Sequence, residues 1–135
     1  MKTPEEIVQL MLSKDAFSKW MHIEIIELGV GYNRLKCTIN PEMLNGFEIL
    51  HGGITYSLSD SSLAFASNSY GYKCVSIESS ISHVRPAFSG DTLFITGTEI
   101  HRGKSIAIYS VTITNQDDKL ISKFKGTVNI SEDIW

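Results

Sequence analysis

The 135-residue sequence lacks several features that would place it in a special class of protein. No apolar run approaches the ~18 residues that a membrane-spanning helix needs. Glu5 and Glu6 stand where a signal peptide would be apolar. Cysteine is scarce, since only Cys37 and Cys74 occur and they form no Cys-X-X-Cys pair. We therefore expect a cytoplasmic protein that does not bind a membrane and whose two cysteines are buried, reduced thiols.

The chain also lacks an excess of basic residues. Twelve Lys and Arg residues face fifteen Asp and Glu residues, which gives a formal net charge of -3. A nucleic-acid-binding protein needs a basic surface, so this function is excluded. The His, Cys, Asp and Glu residues show no metal-ligand spacing, and no metal site is expected. A 42% share of hydrophobic residues over this length is typical of one globular domain.

The hydrophobic pattern predicts an α+β domain. An amphipathic helix is expected over residues 3–14, with Thr3 as its N-cap and Pro4 in its first turn. A second helix, over residues 53–70, is small or apolar on all sides and should be buried. Six strands are predicted, over residues 21–28, 32–39, 73–84, 92–100, 105–114 and 119–130. We expect the last four to form a meander, in a single sheet that curls around the buried helix and leaves one side for a second copy to cover.

Asp60 is the strongest candidate for a catalytic residue. It is the only Asp, Glu, Lys or Arg between Glu48 and Lys73, and it lies in the middle of the apolar helix. A carboxylate in such a place has to be paired, protonated or functional. One interpretation is a general base or nucleophile, and the other is a carboxylate that binds neighbouring backbone.

The segment Leu50-His51-Gly52-Gly53 directly precedes this helix. Its glycines let a ligand approach the backbone, and the free N–H groups of a helix start bind anions or a developing oxyanion. Asp60 follows Gly53 by seven residues, which is about 10 Å along a helix. Asp60 therefore does not easily reach a carbonyl held at its own Gly53, whereas a partner helix could supply it across a two-fold axis.

Several short motifs accompany this pair between residues 20 and 130. They are Asn45-Gly46, His51-Gly52-Gly53 with Asp60, Arg85-Pro86, Gly90-Asp91-Thr92-Leu93, Arg102-Gly103-Lys104 and Phe124-Lys125-Gly126. Together they resemble the hotdog-fold acyl-CoA thioesterases, and within them the branch named for phenylacetic acid degradation. The resemblance implies one hotdog domain over residues 1–135. In this fold an antiparallel sheet wraps around a long central helix, and residues 1–20 would form a helical extension. The resemblance also implies a homodimer or a homotetramer built as a dimer of dimers, with active sites at the dimer interface and no cofactor.

The same resemblance implies roles for single residues. Asp60 would activate water or attack the thioester, and the Gly53 amide would stabilise the oxyanion. Asn45 would contact the thioester or the attacking water, and Ser76 would help to hold that water. Residues expected to contact substrate or coenzyme A are His51, Gly52, Arg85, Arg102 and Lys104.

Alternatives remain open for most of these residues. Asn45-Gly46 can be a turn alone, and His51 can serve to fix the loop. Arg85 either positions the adjoining strand or meets a phosphate of coenzyme A. Arg102 and Lys104 either form a solvated hairpin or grip the nucleotide phosphate.

Three functions compete at this point: a hydrolase of acyl- or aryl-CoA, a non-catalytic acyl-CoA sensor, and a hydratase or dehydratase of the same fold. The isolated Asp60 favours the hydrolase. The sequence leaves the acyl group open, although aromatic candidates for its pocket favour an aryl or medium-length chain. These candidates are Tyr56, Phe65, Tyr70 and Phe88.

Overall fold

The computed structural model describes residues 1–135 as three α-helices and six β-strands. The helices are α1 (Pro4–Lys14), α2 (Ala16–Trp20) and α3 (Gly52–Asn68). The strands are β1 (Glu24–Gly29), β2 (Tyr32–Thr38), β3 (Tyr72–His83), β4 (Thr92–Arg102), β5 (Ile106–Thr114) and β6 (Leu120–Ile134). A single 3-10 turn, Pro41–Met43, lies in the loop before α3. No helix is both long and apolar enough to cross a membrane.

The start of the chain confirms one prediction and corrects another. Helix α1 begins with a capping box, because the Thr3 side chain accepts from the Glu6 amide while the Glu6 carboxylate accepts from the Thr3 amide. The sequence did not predict α2, and the first strand begins three residues later than expected. The reason is that Met21 still ends α2 as its C-cap, and His22 then turns the chain with a φ of 54°.

The six strands form one antiparallel sheet in the order β1-β2-β4-β5-β6-β3. The predicted meander is confirmed for β4, β5 and β6 and wrong for β3, which pairs with β6 at the sheet edge, while β4 pairs with β2. The connector between β3 and β4 crosses the end of the sheet and is held there by other loops. Ala87 accepts from the Leu50 amide at 2.8 Å, and Asp91 accepts from the Ile39 amide at 2.9 Å.

Helix α3 lies on the concave face of the sheet, which confirms the predicted buried helix. Two glycines allow this close approach. A Cβ on Gly97 of β4 would collide with the Ser62 hydroxyl, and a Cβ on Gly126 of β6 would lie 2.6 Å from a Leu63 methyl group. Most of the hydrophobic core fills the space between α3 and the sheet.

Both cysteines are free thiols, as expected. Cys37 is fully buried, and burial together with the nearby Glu24 carboxylate raises the pKa of its thiol to about 11. Cys74 is only half-buried, because it lies on the edge strand β3. Its pKa is also raised by burial, and it lines a cavity described below.

Candidate active site

The first turn of α3 is capped by the side chain of the residue before it. His51 has extended backbone, and its Nδ1 accepts a hydrogen bond of 2.8 Å from the Gly53 amide. The predicted oxyanion donor is therefore already bonded within the chain. The Gly52 amide makes no hydrogen bond, so it is the free donor of this helix start. The predicted loop-fixing role of His51 agrees with this contact.

In the side chain of Asn45, only the oxygen forms hydrogen bonds within the loop. Its Oδ1 accepts from the Phe47 amide at 2.9 Å and from the Ile49 amide at 3.4 Å. The turn interpretation is correct for this oxygen. The Nδ2 group makes no hydrogen bond within the chain and remains free to donate to another oxygen.

Asn45 and Gly52 line a common cavity of about 420 Å³ at the start of α3. Arg85 also lines it, and its guanidinium donates to the Leu120 carbonyl at 3.0 Å, so it positions the beginning of β6. His83 lies at the same wall and was not singled out in the sequence. Its Nδ1 lies 3.3 Å from the Thr55 hydroxyl oxygen. The single hydroxyl proton of Thr55 is donated to the Gly52 carbonyl, so His83 Nδ1 must be the donor in this contact.

Asp60 lies two turns further along α3, in different surroundings. Its carboxylate is half-buried and makes no hydrogen bond or ion pair within the chain. Burial raises the pKa of this carboxyl, and the negative charge of Asp15 raises it further. Ser76 of β3 and Cys74 line the same cavity, which has a volume of about 260 Å³. The structure thus brings Asp60 and Ser76 together, as the sequence interpretation requires.

One chain does not bring all the predicted catalytic residues together. Asn45 and Gly52 share the cavity at the helix start, whereas Asp60 and Ser76 share the cavity at mid-helix. Seven residues of continuous helix separate Gly53 from Asp60, which corresponds to about 10 Å.

Arg102 and Lys104, the predicted phosphate-binding pair, differ in their contacts, because only Arg102 is hydrogen-bonded within the chain. Arg102 donates to the Ser67 carbonyl and to the Tyr109 hydroxyl, each at 3.2 Å, and its guanidinium stacks 3.9 Å from the Tyr70 ring centroid. Its contacts are therefore those of a structural link between α3 and the sheet. Lys104 is exposed and, together with Tyr70 and Tyr72, lines a cleft of about 490 Å³.

Two of the predicted acyl-pocket aromatics are unsuited to that role. Phe65 is buried in the core. Tyr70 donates its hydroxyl to Glu99 at 3.0 Å and carries Arg102 on its ring. Tyr56 and Phe88 are exposed. No group of three or more His, Cys, Asp or Glu side chains is arranged to hold a metal ion.

Comparison with known proteins identifies the family of this chain. The family description of the thioesterase superfamily matches residues 47–122. The acyl-coenzyme A thioesterase PaaI of Escherichia coli is 38% identical over 116 residues, which are 86% of this chain and 83% of that protein.

Solved structures show the same likeness. The Escherichia coli PaaI protein from the phenylacetic acid degradation operon superposes with a TM-score of 0.94 at 34% identity, over 97% of this chain and 95% of that one. A hypothetical thioesterase of Streptococcus pneumoniae, solved with coenzyme A, superposes with a TM-score of 0.88 at 25% identity, over 94% of this chain and 99% of that one. The chain therefore has the hotdog fold and belongs to the thioesterase superfamily.

Proposed function

We propose that this protein is an acyl-CoA thioesterase, which hydrolyses an acyl- or aryl-CoA to the free acid and coenzyme A. The observation that carries the proposal is Asp60, a half-buried carboxylate without any partner in the chain. A carboxyl whose pKa is raised binds a proton more readily near neutral pH, as a general base requires. The names of the relatives supply the substrate class, since Escherichia coli PaaI is an acyl-coenzyme A thioesterase.

Asp60 takes part in the reaction in one of two ways. As a base, it removes a proton from water while the oxygen attacks the thioester carbonyl, and the carbon–sulfur bond then breaks. The proton held by Asp60 passes to the coenzyme A thiolate. As a nucleophile, Asp60 attacks the carbonyl itself and expels the thiolate. Water then hydrolyses the resulting anhydride and restores the carboxylate.

The remaining residues would stabilise the oxyanion and place the water. The free Gly52 amide and the Asn45 Nδ2 group are donors without a partner in the chain. The Gly53 amide, which is bonded to the His51 ring, would be a third donor only if that bond broke. Such donors stabilise the charge that develops on the thioester oxygen. Ser76, which shares the cavity of Asp60, would hold the attacking water.

The separation of the two cavities supports an active site shared by two copies of the chain. Strand β3 is an edge strand, and its Val75 and Ile77 side chains are 66% and 56% exposed. An edge with exposed apolar side chains is suited to pair with a second chain. We propose a homodimer in which the helix start of one copy faces Asp60 of the other, and a dimer of dimers as the homotetramer. Light scattering in solution measures this oligomeric state.

The proposed place of action is the cytoplasm, where the free thiols Cys37 and Cys74 remain reduced. The proposed contact for the nucleotide phosphates is Lys104, which is exposed and has no partner in the chain. The exposed Tyr56 and Phe88 remain candidates for contact with an aryl or medium-length acyl group. The related Escherichia coli protein comes from the phenylacetic acid degradation operon. Phenylacetyl-CoA is therefore the first aryl substrate to test.

The decisive experiment is a hydrolysis assay over aryl-, short- and long-chain acyl-CoAs. Thiol release is followed with a chromogenic reagent and the free acid by mass spectrometry. The Asp60→Asn variant corrects for reaction of the reagent with the protein's own thiols. Release of coenzyme A with equimolar acid supports the proposal. Tight acyl-CoA binding without release would identify a sensor, and addition of water to an enoyl-CoA without thiol release would identify a hydratase.

A further inference from the structure

The junction of α1 and α2 brings a second carboxylate into the surroundings of Asp60. Asp15 is the N-cap of α2, and its Oδ1 accepts from the Ser18 amide at 3.0 Å. Its Oδ2 accepts from the Ser18 hydroxyl at 2.5 Å. The Ser18 hydroxyl also lies 2.9 Å from the hydroxyl of Ser61, the residue that follows Asp60 on α3.

The direction of these hydrogen bonds follows from the number of protons. Ser18 has one hydroxyl proton, which it gives to the Asp15 carboxylate, because an ionised carboxylate only accepts. Ser61 must then donate to Ser18. Ser18 is buried, whereas Asp15 and Ser61 are half-buried, so this chain of bonds is partly shielded from water. It holds the Asp15 carboxylate in a fixed position relative to the turn of α3 that carries Asp60.

Neither Asp15 nor Asp60 forms an ion pair. The only ion pair in the structure joins Lys36 and Glu24. Asp15 is the charged group that acts on Asp60. Cys74 of β3 lines the cavity as a neutral thiol, because burial raises its pKa. The other buried titratable groups beside α3 are bonded to one another near its C-terminal end: Glu99 and Arg102 of β4 and Tyr109 of β5.

We propose that Asp15 is a positioning residue of the hydrolysis, whose negative charge, held in place through Ser18 and Ser61, favours the protonated form of Asp60 in addition to burial. This inference rests on the proposed function of Asp60. Its physical basis is that a second negative charge disfavours ionisation of a nearby carboxyl. The residues 1–20, expected from the sequence only as an extension, thereby take part in tuning the active site.

The test removes the charge of Asp15 and keeps its cap. Asp15→Asn and Asp15→Ser both retain a good N-cap for α2, and two different replacements guard against misfolding of one of them. Glu5→Gln is the matched control, because it removes a carboxylate from α1 that is not among the charges acting on Asp60. The ionisation of Asp60 is followed by carbon NMR of its carboxyl group, which is assigned by its absence in Asp60→Asn.

We expect the Asp60 midpoint to move to lower pH in both Asp15 variants and to stay in place in Glu5→Gln. The acid limb of kcat/KM for phenylacetyl-CoA, or for the best acyl-CoA of the panel, should move in the same direction. Salt should reduce the difference between wild type and Asp15→Asn, because ions screen the two charges. Circular dichroism checks that the variants fold.

Two results would overturn the idea in different ways. An Asp60 midpoint that is the same in wild type and in the folded Asp15 variants would remove Asp15 from the mechanism and leave the thioesterase proposal standing. Full turnover by Asp60→Asn would remove the proposed catalytic role of Asp60, and with it any part for Asp15 in the reaction. The NMR titration needs no substrate, so the two failures are distinguishable.

Discussion

The polar side chains at the first turn of helix α3 and the Asp60 carboxylate at its middle differ in their hydrogen bonding. At the first turn, His51 and Thr55 bind nearby backbone, and the Gly53 amide is bonded to the His51 ring. Two turns later, the Asp60 carboxylate has no partner at all. Burying a carboxylate without a partner is costly, so folding alone does not explain its presence. The contrast indicates that the fold fixes the loop before α3 but provides no partner for the Asp60 carboxylate.

The largest effect should follow from Asp60→Asn. The amide has nearly the same shape, yet it neither accepts a proton from water nor attacks a thioester well. We expect hydrolysis to fall by about 10²–10⁴-fold, the usual contribution of general acid–base catalysis. The measurement is kcat/KM for the best acyl-CoA, with Asp117→Asn in an exposed turn as control. Turnover close to wild type in Asp60→Asn would end the assignment.

The same variant should be more stable than wild type at neutral pH. The pKa of Asp60 is raised by folding, so the folded state keeps its proton while the unfolded chain loses it. The part of the free energy of unfolding that depends on this proton is fully present below the pKa of Asp60 in the unfolded chain. It is lost as the pH rises through the pKa of Asp60 in the folded protein. Thermal unfolding should therefore separate Asp60→Asn from wild type at pH 7 and show less difference in acid.

The next prediction tests whether one active site combines the start of α3 from one chain with Asp60 from a second chain. Asp60→Asn lacks the carboxylate, and Gly53→Pro lacks an amide donor while still fitting the first turn of a helix. Co-expressed, the two chains should form hybrids that regain activity above either parent. Asn45→Ala replaces Gly53→Pro if the proline disturbs the loop. Hybrids without added activity in both pairings would show that each chain works alone.

A pair of serines on α3 sharpens the comparison for stability. The Ser62 hydroxyl donates to Asn33 at 2.7 Å, whereas the buried Ser59 hydroxyl has no partner. Ser62→Ala should lower the free energy of unfolding by about 1–3 kcal/mol, because it leaves the buried Asn33 oxygen unpaired. Ser59→Ala should be neutral or raise it by about 1 kcal/mol, because it removes an unpaired hydroxyl. Urea denaturation measures both, and equal losses would contradict the contrast.

The smallest effect concerns Lys104 and Arg102. Lys104→Gln should raise KM about 1.4- to 5-fold, since an exposed ion pair contributes roughly 0.2–1 kcal/mol. A truncated thioester without the nucleotide should show no change, and high salt should reduce the effect. Arg102→Gln should instead lower stability and affect both substrates alike, because Arg102 is bound to Ser67 and Tyr109. An equal loss on both substrates in Lys104→Gln would make that turn structural.

Local patterns identified much of this molecule. Thr3 and Glu6 predicted the capped start of α1, the apolar run predicted α3, and an isolated Asp60 predicted a reactive group. These features depend on neighbours a few residues away or on one clear departure from an apolar pattern. The five-residue helix α2 escaped notice, because so short a segment shows hardly more than one turn of periodicity.

The sequence by itself therefore determined α1, the six strands, the buried helix α3 and the position of a lone carboxylate within that helix. Only the tertiary structure decided that β3 lies beside β6, that His51 occupies the Gly53 amide and that Arg102 is bound within the chain. It also decided that Asp15 acts on Asp60, although 45 residues separate them in the sequence. The physical reason is that hydrophobic periodicity is a property of short segments. Strand order, hydrogen-bond partners and the field at a carboxylate depend instead on which distant segments the folded chain brings together.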